Sequence, residues 1–366
     1  MRLRKLSLFD FKNYERASVQ FSKPVNCIVG DNGSGKTNLL DAIYYLSLTK
    51  SAFGGNDAKN IRHGHTVFFI TGEFENDTHI EKIGCRVQEA KKLFTCDKVE
   101  YQRLADHIGK VPVVLINPYD IDIIRGGSEL RRKFFDVTLG QLNEQYLVSL
   151  LTYNRLLKQR NAALKHFAET GRVDHELLDV FDVELLSAGR NVYQIRNEFI
   201  RQSTERFLPL YREISEGKEK LLVEYISDWN EDEFEARFRD NRKKDILLQR
   251  TSQGIHRDDY MFTLDGYAVK SYGSQGQQKS FLLALKWGQA EILKEVKKKA
   301  PILLLDDVCD KLDDRRINKL IGLIKASDSQ VFISDAQPER IQSLMVNNGI
   351  DATYLYIYKG IIEKIV

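Results

Sequence analysis

The chain has 366 residues, 42% hydrophobic and 29% charged, and its 55 basic and 52 acidic side chains leave a formal net charge of +3. This length suits about two domains, and the balanced charge neither requires nor excludes a polyanionic partner. The four cysteines lack metal-like pairing, and no run approaches the ~20 apolar residues of a membrane span. The first residues lack a signal-peptide core, so we expect a reduced, cytoplasmic protein that does not bind membranes.

The first predicted strands, Leu3–Phe9 and Ala17–Phe21, are followed by a glycine-rich loop between an apolar strand, Val25–Val29, and a helical pattern, Asn38–Leu46. The loop fits G-x-x-x-x-G-K-[ST] with Gly30, Asp31, Asn32, Gly33, Ser34, Gly35, Lys36 and Thr37. In this context backbone N–H groups wrap nucleotide phosphates, the lysine reaches the β- and γ-phosphates, and the threonine hydroxyl ligates Mg²⁺. The sequence therefore predicts an ATP or GTP site.

The rest of the chain alternates between strand and helix patterns. Further strand-like stretches lie at Thr66–Phe74, Thr78–Val87, Lys91–Cys96 and Val111–Ile116. Short polar turns separate several of them, as in antiparallel hairpins. From about Gly126 to Leu248 long helical patterns dominate, and strand patterns then return, first at Asp259–Leu264. We therefore predict an α/β nucleotide domain formed by residues 1–125 and 249–366, which is split by a helical lobe at 126–248.

A second motif opens a long predicted helix, Gln275–Val296. It consists of Ser274, Gln275, Gly276 and Gln277. Ser274 and Gly276 leave room for a phosphate near the helix N-terminus, where the helix dipole favours an anion. Ser274 with Gln277 is also an ordinary capping box, and both roles can hold together.

A third motif ends the apolar strand Pro301–Asp306. Asp306 and Asp307 stand at its carboxyl end. The first carboxylate can hold Mg²⁺, and the second stands where a general base or a water-positioning group is needed. Asp307 and Lys36 are therefore the predicted catalytic residues, and Thr37 and Asp306 are the predicted Mg²⁺ ligands.

The order of these motifs resembles the ABC-type ATPase heads of the SMC/Rad50 group and, more closely, the RecF family of bacterial DNA replication and repair proteins. The matching stretches are Asp10–Tyr14, Gly30–Leu40, Tyr44–Ser47, Gly254–Asp259, Ser274–Gln278 and Pro301–Asp307. The stretch between Lys36 and Ser274 leaves no room for long coiled-coil arms. The resemblance therefore implies a P-loop ABC-type ATPase head, with a mixed sheet, an antiparallel β subdomain and an inserted helical lobe II.

The resemblance also implies how the site works. The loop Gly30–Thr37 would bind ATP in cis, and Ser274 with its neighbours would contact the γ-phosphate of a second copy, so that ATP drives a homodimer. Lys12 and Asn13 would reach the nucleotide or, equally, form a surface turn. Asp307 stands where many heads carry Glu, one methylene longer, which predicts a weak, DNA-stimulated ATPase that acts as a switch. Asp310 and Lys311 replace the usual Ser and Glu, so cross-subunit contacts there are expected to differ.

By resemblance, the chain would bind DNA without sequence preference at gaps or ssDNA–dsDNA junctions, and would promote recombinase loading with RecO- and RecR-like partners. Patches of this kind are more often solvated surface than DNA contacts. The candidate DNA contacts are Arg131–Lys133, Lys158, Arg160, Arg242–Lys244 and Lys297–Lys299. His256 in Gly254–Asp259 would sense nucleotide, couple the lobes or brace a turn. The alternatives are an SMC-like head that acts on another macromolecule and a metabolic nucleotide-dependent transferase.

Overall fold

The computed structural model describes residues 1–76, 79–89, 91–215, 217, 219–230, 233–310 and 312–366. Thr78, which begins a predicted strand, and Lys311, a predicted cross-subunit position, lie outside the described residues. The chain divides into two compact units. Unit 1 is Met1–Ile121, Glu213–Glu216 and Lys279–Val366, and unit 2 is Asp122–Arg212 and Gly217–Gln278. None of the helices in the described ranges has both the length and the apolar character that a membrane crossing requires.

The secondary structure alternates along the chain as follows. The strands are β1 (Arg2–Phe11), β2 (Tyr14–Gln20), β3 (Val25–Val29), β4 (Val67–Glu75), β5 (Ile80–Gln88), β6 (Lys91–Cys96), β7 (Val99–Glu100), β8 (Val113–Ile116), β9 (Leu221–Ile226), β10 (Asp259–Leu264), β11 (Tyr267–Ala268), β12 (Ile302–Leu305), β13 (Val331–Asp335), β14 (Ala352–Tyr358) and β15 (Ile361–Ile365). The helices are α1 (Lys36–Leu48), α2 (Asp122–Arg125), α3 (Ser128–Leu142), α4 (Glu144–Thr170), α5 (His175–Ser215), α6 (Phe234–Asp240), α7 (Arg242–Leu248), α8 (Val269–Tyr272), α9 (Gln275–Lys297), α10 (Asp314–Ala326) and α11 (Pro338–Asn347).

The central sheet of unit 1 has the strand order β15-β14-β3-β13-β12-β8. Its neighbours pair in parallel from β14 to β8, and β15 is antiparallel to β14. The strands β3, β8, β12 and β13 are buried along their whole length, as expected for parallel strands that are covered on both faces. Because they run in parallel, their carboxyl ends share one edge, and the predicted ATP motifs follow β3 and β12 there.

A second sheet of unit 1 is antiparallel, in the order β2-β1-β4-β5-β6-β7. Its strands alternate between buried and more exposed positions, so one face packs inward, with side chains such as Leu6, Phe68 and Phe94, and the other faces outward. Helix α1 packs against β4 and β1. The predicted combination of a mixed sheet with an antiparallel β subdomain is confirmed.

Unit 2 is built from helices around a small sheet, β11-β10-β9. An apolar cluster in this unit joins α3, α4, α5 and α6, with Tyr146, Tyr153 and Leu185 among its buried members. The segment 126–248, which is predicted to be a helical lobe, also contains the strand β9, in which alternating Leu221, Val223 and Tyr225 are buried. Because β10 pairs with β9, residues 249–278 group with unit 2 rather than with the C-terminal strands. The functional division into the predicted domains stays a prediction.

Candidate functional site

The glycine-rich loop leaves β3 and enters α1, as the sequence predicts. Gly35 has a φ of 122°, and a Cβ there would lie 2.6 Å from Nδ2 of Asn13. Gly30 is similarly confined, since its Cβ would lie 2.2 Å from the carbonyl oxygen of Ile357. Only glycine meets both the dihedral and the steric condition at these positions. The loop is therefore a tightly enclosed backbone turn at the start of a helix, a geometry that binds anions.

Lys36 spans this loop from inside. It is 4% exposed, and its Nζ donates to the carbonyl oxygens of Gly30 at 2.7 Å and Asp31 at 3.1 Å. The ammonium group therefore lies within the loop, among the groups that the pattern assigns to phosphate binding. Asp31, Asn32 and Gly33 form its exposed rim.

Asn13 and Lys12 lie beside the loop and have different partners. Nδ2 of Asn13 donates to the Ser34 carbonyl oxygen at 3.0 Å, and its Oδ1 accepts from Nδ2 of Asn38 at 2.7 Å. Asn13 thus ties the loop to the first turn of α1. The ammonium of Lys12 is held 2.6 Å from the buried carboxylate of Asp41. In this structure both residues support the loop region, and direct nucleotide contact by either stays a prediction.

The predicted Mg²⁺ ligands meet at the edge of the central sheet. Thr37 Oγ1 donates to both carboxylate oxygens of Asp306 at 2.9 Å, and Ser334 Oγ donates to Oδ1 of Asp306 at 2.7 Å. Asp306 is buried, and this burial raises the pKa of its carboxyl group. Hydroxyl and carboxylate oxygens are the hard ligands that Mg²⁺ prefers, so the donor set fits this ion.

Asp307 is held by the same serine. Its φ of 45° lies in the left-handed region, which is uncommon for residues other than glycine. Its backbone N–H donates to Ser334 Oγ at 2.9 Å. The Asp307 side chain is half-buried at the sheet edge next to Thr37 and Asp306. Ser334 is not among the predicted catalytic or Mg²⁺-binding residues, although by resemblance Ser334 and Asp335 occupy the switch region of such heads. The parallel pairing of β13 between β3 and β12 is what brings Ser334 to the two carboxylates.

Asp335, the residue after Ser334, is linked through Arg340 to the loop that follows Asp307. Arg340 donates from Nη2 to Asp335 Oδ2 at 2.7 Å and to Asp310 Oδ1 at 2.5 Å. Asp335 is buried, whereas Asp310 is exposed. This three-residue contact ties the end of β13 to the segment after β12.

The Ser274 motif belongs to unit 2 and has the predicted capping-box geometry. The Ser274 N–H donates to Gln277 Oε1 at 2.8 Å, and the Gln277 N–H donates to Ser274 Oγ at 3.2 Å. Gln277 also donates to Glu219 at 2.8 Å. Ser274 and Gln275 are exposed, and Gly276 is half-buried. The capping box is confirmed, and a role toward phosphate stays a prediction.

His256 is tied into unit 2. Its Nδ1 lies 2.8 Å from the Tyr153 hydroxyl, and its Nε2 lies 3.1 Å from the Thr251 carbonyl oxygen. Burial lowers the pKa of His256 to about 4. Gly254 is required beside it, since a Cβ would lie 2.4 Å from the Tyr153 hydroxyl. These contacts favour the interpretation that the turn braces unit 2.

Several of the candidate DNA contacts are internal. Arg160 is fully buried, with Nε 2.7 Å from Asp182 and Nη1 2.8 Å from Asp245. Arg131 forms a bidentate pair with Asp259 at 2.7 and 2.9 Å. Their positive charges are therefore compensated by carboxylates within unit 2. The prediction that these two arginines contact DNA is wrong. The candidates that are exposed are Lys133, Lys158, Lys243, Lys244 and Lys298.

Comparisons with known proteins agree with this arrangement over nearly the whole chain. The family model described as "RecF/RecN/SMC N terminal domain" matches residues 2–354. A DNA replication and repair protein RecF from Cytophaga hutchinsonii is 42% identical over 365 residues, covering 100% of this chain and 97% of that protein. A solved recombination mediator protein, titled RecF-ATP in the RecFOR pathway, has a TM-score of 0.89 and 29% identity, with 100% and 97% of the chains covered. An Smc head bound to the C-winged helix domain of ScpA has a TM-score of 0.58 and 17% identity, with 100% and 97% of the chains covered, and so has the same fold.

Proposed function

The chain belongs to the RecF family, and from this membership we propose that it is an ATP-dependent DNA-binding protein of recombinational DNA repair and replication. The observation that carries the proposal is the coincidence of two facts. A relative that is called a DNA replication and repair protein aligns with the entire chain, and the phosphate loop lies beside the carboxylates that ATP chemistry needs.

The nucleotide would be ATP with Mg²⁺. Support comes from the enclosed loop of Gly30–Thr37 and from the oxygen ligands of Thr37 and Asp306. Mg²⁺ would neutralise phosphate charge when it is bound. Lys36 would turn from its own loop carbonyls to the phosphates, and Asn13 would keep the loop fixed to α1. Asp306 would be ionised next to a cation, which offsets the effect of burial on its pKa.

Asp307 would orient the attacking water or accept its proton. Ser334 would keep the carboxylates of Asp306 and Asp307 in register, since its hydroxyl bonds to the side chain of one and the backbone of the other. Asp is shorter than Glu, and a displacement of ~1 Å can cost roughly 100-fold in rate. We therefore infer a weak ATPase, stimulated by DNA, in which the nucleotide state acts as a switch.

ATP would join two copies of the chain. Ser274, Gln275 and Gly276 are exposed or half-exposed at the N-terminus of α9, where backbone N–H groups suit an anion. In the proposed dimer this helix end contacts the γ-phosphate that is bound to the loop of the second copy. The protein would bind DNA at gaps or ssDNA–dsDNA junctions. Its partners would be RecO- and RecR-like proteins and a recombinase, and it would act in the cytoplasm.

The test is Ser274→Arg. The wild-type chain should double its mass with ATP and Mg²⁺ in light scattering after size exclusion, and should then bind gapped DNA more tightly. The arginine variant should bind ATP as the wild type does but remain a monomer.

Ser274→Ala measures the loss of the helix cap alone, which costs about 1 kcal/mol. Thr170→Arg, at the end of α4, controls for the added charge. Dimerisation of the Ser274→Arg variant with ATP would refute the shared site, and a wild-type chain that binds ATP but no DNA would refute the DNA function. A small-molecule transferase would show neither ATP-driven dimers nor DNA binding.

A further inference from the structure

The outward face of the antiparallel sheet carries an unusual row of side chains. The strand register places Arg16 opposite Phe9, Phe9 opposite Phe69, and Phe69 opposite Arg86, so the row crosses β2, β1, β4 and β5. Leu93 on β6 extends it opposite Arg86. All these residues point away from the buried face because they sit at alternate strand positions.

The row consists of two rings in edge-to-face contact, with one guanidinium group at each end. The Phe9 and Phe69 centroids are 5.8 Å apart in an edge-to-face arrangement. The Arg16 guanidinium lies 5.9 Å from the Phe9 ring and the Arg86 guanidinium 5.3 Å from the Phe69 ring. Phe9 is nevertheless 36% exposed. At the usual strand spacing, Arg16 and Arg86 are about 14 Å apart.

The surroundings of the row favour a polyanion. Basic side chains on the same face are Arg2, Lys5, Arg16, Lys82, Arg86 and Lys91. The acidic ones are fewer: Glu73, Glu75 and, on β7 opposite Thr95, Glu100. Glu75 is already paired with Arg4, at 2.7 Å from Nε. The neighbouring row is made of small residues, Ser18, Ser7, Thr71, Gly84 and Thr95. A chain could thus lie flat across the sheet without meeting bulky side chains.

We propose that this sheet face binds single-stranded DNA, with bases stacked on Phe9 and Phe69 and phosphates beside Arg16 and Arg86. Aromatic rings on an open sheet surface stack two or three unpaired bases, and every base offers a ring face, so the binding is independent of sequence. A duplex hides its base faces and would use only the charges. That the ligand is DNA rests on the proposed function. That the DNA is single-stranded rests on the exposed rings of this face.

The experiment measures the fluorescence anisotropy of labelled oligo(dT) and of a duplex of equal length, with and without ATP. The double variant Phe9→Leu/Phe69→Leu keeps apolar bulk but removes the rings. The matched control Phe9→Tyr/Phe69→Tyr keeps them. The leucine variant should bind oligo(dT) at least about tenfold more weakly, since each lost base–ring stack matters by about fivefold or more. The tyrosine variant should match the wild type, and duplex binding should change less than twofold in both.

A second pair of variants addresses the charges and does not alter the rings. Arg16→Gln and Arg86→Gln should each lower the slope of log affinity against log salt by about 0.7 for the single strand. Two results would overturn the inference and leave the DNA function standing: the leucine variant binds oligo(dT) within twofold of the wild type, or it loses affinity equally for duplex and single strand. In either case a protein would be the better occupant of the face. If the wild-type chain binds neither oligo(dT) nor the duplex, the proposed function itself is refuted.

Discussion

Replacing Arg160 by methionine should destabilise unit 2 and leave DNA binding intact. Arg160 was a candidate DNA contact by sequence, yet its guanidinium is buried between Asp182 and Asp245 and also donates to Thr251 at 2.8 Å. Methionine fills much of the same volume but leaves the carboxylates without this cation. The variant therefore separates a structural cation from a DNA-binding one.

The expected magnitude follows from what each carboxylate retains. Asp182 still has Arg242, at 2.7 Å from Nη2. Asp245 retains neutral donors, the N–H of Ser252 at 3.0 Å and its hydroxyl at 2.6 Å. About one buried charge thus loses its partner, and breaking a buried pair from one side costs about 3–5 kcal/mol. Domains are stable by about 5–15 kcal/mol, so the loss should be a large fraction of the total.

Urea unfolding, followed by circular dichroism, measures this loss as a drop in midpoint of about 1 M or more. Lys158→Met is the matched control, because Lys158 is exposed on the same helix. It should leave the midpoint unchanged. A loss below about 1 kcal/mol for Arg160→Met, or a fall in DNA affinity in a variant that is still folded at low temperature, would refute the reasoning.

Three further outcomes are expected. Ser334→Ala should slow ATP hydrolysis by about tenfold or more with ATP affinity kept, because a hydrogen bond to a charged group is worth about 1.5–3 kcal/mol; phosphate release measures the rate, and unchanged hydrolysis contradicts the role of Ser334. The wild-type turnover should stay below the ordinary median of about 10 s⁻¹, and faster steady-state turnover would disprove the effect of the short Asp307. Burial lowers the pKa of His107 to about 4, below its unfolded value of about 6.5, so stability is full above pH 6.5 and falls by up to about 1.4 kcal/mol per pH unit toward pH 4. Urea unfolding between pH 7.5 and 5 measures this. His107→Asn should remove the contribution of His107 and leave that of His256, whose pKa burial also lowers to about 4.

The sequence predicted those parts of the fold that depend on local pattern. The loop between β3 and α1 needs glycines and a lysine at fixed spacing, and β6 and β10 have the predicted bounds, Lys91–Cys96 and Asp259–Leu264. The sequence did not indicate the strand β9, because its six residues lie within long helical patterns and its pairing partner, β10, is distant in the chain.

Site residues outside the motifs were harder to find. Ser334 is one serine at a strand end, and its importance depends on which strands neighbour β13 in the sheet. Arg160 looked like a surface cation because its acidic partners come from α5 and α7. In both cases the deciding contact joins residues that are far apart in sequence, and pattern reasoning does not reach such contacts.

The position of β3 in the central sheet affects how the chain matures. Both strands that flank β3, β13 and β14, lie far downstream of it in the chain and are therefore made long after it. The final turn also closes on the phosphate loop, since the Gly360 N–H donates to the Ser34 carbonyl oxygen at 2.7 Å. A nascent chain can therefore complete the framework of its nucleotide loop only after β13, β14 and the turn at Gly360 have left the ribosome. A product of premature termination before β14 would carry the full loop motif yet lack the framework that shapes it, so the cell would be spared truncated copies that compete for nucleotide.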